Sequence, residues 1–147
     1  MKRVLSFACI CSFALAVSLA AQAPPATPAP AKIVTEADYA ATMKEVGQNA
    51  GVMTKSIKGD MPDEALKAAM RLETLFKSVN AYWVDKKVAD ATTASQTAVT
   101  SLQAVQKALG AKDMAAAEAA RATVAAQCMA CHTAHREKTP EGGWKMK

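Results

Sequence analysis

Residues 113–135 read DMAAAEAARATVAAQCMACHTAH, and two patterns are superposed on them. The first is helical. Ala117, Arg121, Val124, Cys128 and Cys131 recur at spacings of four and three, which is one stripe of an α-helix. The second is Cys128-Met129-Ala130-Cys131-His132, a C-x-x-C-H run and the attachment signature for c-type haem. Chemistry explains the spacing. Two thiols add to the two vinyl groups of one porphyrin, so they must sit close together, and a histidine then presents a nitrogen to the iron. At about 100° per residue, Cys131 lies about 60° to one side of Cys128 and His132 about 40° to the other. All three share one helix face.

Other uses of this motif need a different setting. A thioredoxin-like redox pair wants C-x-x-C near a βαβ pattern, and no strand-like run follows the leader. A zinc site would have to use Cys128, Cys131, His132 and His135. A single helix face does not wrap a tetrahedral ion.

Working back toward the N-terminus, three more helices are predicted. The first has Thr35 as N-cap, Glu36 and Asp38 in its first turn, and Gly59 at its end. Its stripe is Tyr39, Met43, Val46, Ala50, Met53 and Ile57. The second starts with Asp60 as N-cap and Pro62 in the first turn, with Ala65, Ala69, Leu72, Phe76, Val79 and Trp83 on its inner face. The third runs from about Asp90 to Leu109 with Gly110 as its stop. Its stripe is Ala91, Ser95, Ala98, Leu102, Val105 and Leu109. The fourth opens at Asp113 and should fade near Lys138, because Pro140 and Gly142-Gly143 break it. Short links, the one between the second and third helices the longest, make sequential helices antiparallel. The fold expected is all-α, an up-down-up-down four-helix bundle with a C-terminal haem-attachment helix. Its stripes are rich in alanine and methionine and poor in large aliphatics, so a buried haem would supply missing apolar volume.

The chain of 147 residues suffices for one domain. Met1-Lys2-Arg3, the apolar run Val4–Leu19 and the small residues Ala20, Ala21 and Ala23 read as a signal peptide over 1–23. A membrane anchor is the competing reading, but the run is short for a span of about 20 residues. Pro24, Pro25, Pro28 and Pro30 mark 24–34 as a Pro/Ala-rich linker. The cytochrome domain is then 35–138, and 139–147 is a flexible tail in which Trp144 is left undecided. Cys9 and Cys11 lie in the leader, so the mature chain keeps only the two thiols of the motif. Haem of this class is attached after export, so leader and motif agree on a periplasmic location. Removing Lys2 and Arg3 with the leader takes 18 basic residues to 16 against 13 acidic, a net +3. That is too mild to argue for nucleic acid.

With C-x-x-C-H near the end of a four-helix chain, the sequence resembles the cytochrome c′ family and its low-spin relatives. The resemblance covers roughly Thr35 to Lys138. Arg136 stands four residues after His132, where that family has a basic residue, and the resemblance implies a cofactor contact there. Residues Met43–Asp60 look like the family's first helix and its exit, a register that puts Met43 at the distal haem position. Two departures stand out. Tyr39 occupies a place where the family often has an arginine, and the link after Tyr82-Trp83 is shorter than in many members.

The iron's sixth position follows in part from the residues. His135 sits on the same helix as His132 and cannot cross the haem, which leaves a methionine or an open site. Met129 is inside the motif, while Met61 and Met114 lie at helix starts; Met70 and Met146 are further thioethers. Met43 is on the inner stripe with Gly47 one turn along, a glycine that costs about 1 kcal/mol against alanine in a helix. Plain core filling is the alternative use of such a methionine, and Met53 is the second candidate. Phe76, Tyr82 and Trp83 are read as core or haem-packing residues; Arg71 and Arg121, like Arg136, could pair a propionate.

Two functions are open. His132/Met43 ligation makes a single-haem electron carrier serving a redox partner protein, as a monomer or homodimer. A vacant distal site makes a binder of nitric oxide or carbon monoxide, as the family resemblance allows. No acid–base constellation points to an enzyme, and no membrane association is expected after leader cleavage.

Overall fold

A computed structural model describes residues 31–147. The expected leader and residues 24–30 of the expected linker lie outside the described residues. Four helices follow one another, α1 (Glu36–Lys58), α2 (Pro62–Lys86), α3 (Ala89–Gly110) and α4 (Met114–His135). They pack in the up-down arrangement of a four-helix bundle.

The start of α1 is as its residues dictate. Thr35 Oγ1 accepts from the Asp38 backbone N–H at 3.1 Å, and the Asp38 carboxylate accepts from the Thr35 N–H at 2.9 Å. That reciprocal pair is a capping box with aspartate in the third position. Asp113 caps α4 in the simpler way, accepting from the Ala116 N–H at 2.9 Å.

The three links share one geometry that differs from the expected one. Each has a left-handed residue that is not glycine: Asp60 (φ 54°), Lys87 (φ 58°) and Lys112 (φ 56°). The N–H after each reaches back five residues: Met61 to Ser56 O, Val88 to Trp83 O, and Asp113 to Ala108 O. This is the Schellman pattern, which satisfies carbonyls at a helix end. Asp60 therefore turns the chain instead of capping α2, whose N-cap is Met61 with Pro62 behind it. Gly59 caps α1 as expected, and Gly110 is the last residue of α3. The α2–α3 link is Lys87-Val88 alone, the shortest of the three and not the longest.

The predicted stripes form the core. Every stripe residue of α2 and α3 is buried, with Leu72, Leu102, Val105 and Leu109 at 2% exposure or less. Ala65, Ala69, Ala98 and Ala117 are fully covered and let the helices approach closely. Ile33, assigned to the linker from its sequence, is buried and belongs to this core. Helix α2 packs closely on α1 and α3, and α3 on α4, whereas α1 and α4 scarcely touch. The open seam shows in the burial of α4. Only Ala117 and Val124 of its 22 residues are buried, and none of them follows Val124.

The chain beyond α4 departs from expectation. The helix stops at His135, not near Lys138, because Arg136 is already extended (φ −124°, ψ 135°). Residues 139–147 are not a free tail. Strand β2 (Trp144–Met146) pairs antiparallel with β1 (Arg136–Lys138), matching Arg136 to Met146 and Lys138 to Trp144. Thr139 and Gly142-Gly143 close the turn, with Gly142 at φ 84°. Among the described residues no helix is long and apolar enough to cross a membrane.

Candidate cofactor site

A cavity of about 840 Å³ fills the seam between α1 and α4. That lies within the roughly 300–1,000 Å³ of small-molecule and cofactor sites. One wall is α4, which contributes Gln127, Cys128, Cys131, His132 and His135. The facing wall is α1, with Tyr39, Met43, Val46, Gly47 and Ala50. Phe76, Val79 and Trp83 of α2 form the floor. The two stripe positions of α1 that are only half-buried, Met43 and Ala50, both border this space.

Helix geometry aligns the two walls. Trp83 touches rings on both sides, with centroids 5.6 Å from Tyr39 and 5.2 Å from His135. Those two residues therefore border the same end of the cavity. Because α1 and α4 run antiparallel, moving four residues inward on each reaches Met43 on one wall and Cys131 on the other, each about 6 Å along its helix from that end. Met43 thus stands across the cavity from the motif.

The electrostatics follow from partial burial. Burial pushes both thiols up, Cys131 further by the charge of Asp90 and the neighbouring Cys128. Burial also holds His132 below its ordinary value, helped by the positive charge of Arg136. A neutral imidazole with a free lone pair is what a metal requires. His135 is occupied differently, with its Nε2 2.8 Å from the Asp90 carboxylate. The bond to His135 is the main reason Asp90 lies below the usual carboxylate range. Trp83 donates its Nε1–H to the Tyr39 hydroxyl at 3.1 Å, and burial raises that hydroxyl well above the phenolic range.

No family model matches the chain, nor does any curated protein or solved structure.

The site residues expected from sequence divide as follows. Cys128, Cys131, His132, Arg136 and Met43 all line the one cavity. Met53 does not; it is 1% exposed in the core, so the second methionine candidate falls away. Arg71 and Arg121 are engaged elsewhere, Arg71 with Glu45 and Arg121 bidentately with Glu118. Phe76 and Trp83 reach the cavity, whereas Tyr82 packs behind them against Tyr39 and Trp83. Among the described residues no group of three or more His, Cys, Asp and Glu side chains gathers to hold a metal by itself.

Trp144, which the sequence leaves undecided, also lines the cavity, together with Lys145 and Met146 of the segment expected to be a flexible tail. The signal was present in Thr139-Pro140-Glu141-Gly142-Gly143, a turn sequence placed between two short runs.

These residues suit a flat, largely apolar group held on one side by two thioether links and one imidazole. An alanine-type Cβ on Gly47 would meet nothing within 4 Å, so the α1 wall is recessed beside Met43.

Proposed function

We propose that this chain is an exported c-type cytochrome, a single-haem electron carrier whose iron is held by His132 and Met43. One observation carries the reading. The bundle closes tightly on three sides, and its open fourth side is a cofactor-sized cavity with Cys128, Cys131 and His132 facing Met43. The bound haem would supply a one-electron iron couple. Cys128 and Cys131 would anchor it, His132 would offer its imidazole and Met43 its thioether to the iron. Held from both walls in this way, the group would pass an electron with little rearrangement of the protein, which suits transfer to a redox partner protein. The leader expected over residues 1–23 would carry the chain to the periplasm.

The test is direct. Full-length chain, expressed with a c-type maturation system, should keep haem through a denaturing gel and stain for peroxidase activity. A mature mass equal to the bare polypeptide would sink the proposal. The oxidised protein should be low-spin, with a weak near-infrared band from sulfur–iron charge transfer.

The recess at Gly47 favours a second reading, in which the distal side stays open and takes nitric oxide or carbon monoxide. A high-spin ferric spectrum, with direct uptake of nitric oxide, would move that reading to first place.

A further inference from the structure

We infer that the C-terminal hairpin is a wall of the cofactor site and that Met146 shields the bound group from water, an inference that rests on the haem reading above. Arg136, Trp144, Lys145 and Met146 all line the cavity. The hairpin contributes no residue to the fully buried core, so the bundle does not need it to close. Its position is nonetheless well defined. The Lys147 N–H donates to His135 O at 3.0 Å, and the Lys147 ammonium donates to Thr133 O at the same distance. The Arg136 guanidinium lies 3.8 Å over the Trp144 ring centroid. These contacts tie the last residues of the chain to the end of α4, directly after the motif. They leave Trp144 half-exposed and Met146 half-buried at the cavity, packed against the apolar cluster as Cys128 and Cys131 are.

Placing an apolar side chain here has a redox consequence. An iron site carries more positive charge when oxidised, and water stabilises that charge. Excluding water at one end of the cavity favours the reduced form and raises the potential. The Arg136 cation acts in the same direction. Lys145 does so less, since it is paired with Glu137 at 3.1 Å on the exposed side.

The experiment compares haem-loaded wild type with three haem-loaded variants: a chain ending at Lys138, Met146→Ser and Met146→Leu. Reduction potentials are read by spectroelectrochemical titration, with helical circular dichroism as the folding control. The truncated chain and Met146→Ser should titrate at lower potential than wild type with unchanged helical signal, and Met146→Leu should return to the wild-type value. In the reduced wild type, the Met146 methyl resonance should be displaced from the usual methionine range by the macrocycle's ring current. Potentials of the truncated chain and Met146→Ser equal to wild type would overturn the inference while leaving the haem reading intact. So would an undisplaced Met146 methyl. A wild type that attaches no haem would overturn both.

Discussion

Met43 and Met53 lie on one stripe of α1, yet they meet different surroundings. Met53 is 1% exposed among core side chains, and Met43 is half-buried at the cavity. Their truncations should separate cleanly. Met53→Ala removes packed volume and should cost about 2–5 kcal/mol of stability, read by denaturant unfolding, while leaving the haem spectrum as it is. Met43→Ala should abolish the near-infrared band, lower the potential and admit carbon monoxide. Periodicity marked both as inward-facing and could not rank them, because a core seam and a cavity wall occupy the same angle on a helix. Only the register drawn from the family resemblance favoured Met43. Cys128, Cys131 and His132 were legible without it, since their spacing carries its own chemistry.

Among the elements, α1 offers a test by pH. The Thr35 backbone N–H and then the Thr35 hydroxyl hold the Asp38 carboxyl below its usual value. A carboxylate depressed in the folded state adds stability above its unfolded pKa, about 3.9. That stability is lost as pH falls from there through the lower folded value. Asp38→Asn should therefore melt at lower temperature than wild type at neutral pH, and the gap should close below about pH 4. Thermal scans at several pH values would check this. The cap was readable because Thr35 and Asp38 are local. The link geometry was not. Gly59 does cap α1 and Gly110 is the last residue of α3, as glycine stops suggest, but Asp60, Lys87 and Lys112 take the left-handed positions. Sequence preference weights glycine there, while the length of the link decides where the turn must fall. The hairpin escaped for a related reason, since three-residue strands are too short to display a period of two.

For the whole molecule, the bundle was legible from four stripes and three links, and the open seam was not. Nothing in the spacing of α4 says that its second half lacks a protein partner. The seam predicts a strong dependence on the bound group. The double variant Cys128→Ala, Cys131→Ala should melt well below the haem-loaded protein, with hydrogen exchange speeding first in α4 beyond Val124. Equal melting temperatures would mean that the seam closes unaided. The same seam bears on the order in which the chain folds. Each tightly packed helix pair is adjacent in sequence and joined by two or three residues, so its closure entropy is small. The one distant pairing, α1 with α4, is the one left open. Such a chain has a low contact order and should fold within microseconds to milliseconds without bringing its two ends together. Substitutions along the seam should then leave the refolding rate of the haem-free chain unchanged, and stopped-flow fluorescence of Trp83 would show it. The thiols would meet their haem on a scaffold already assembled behind them.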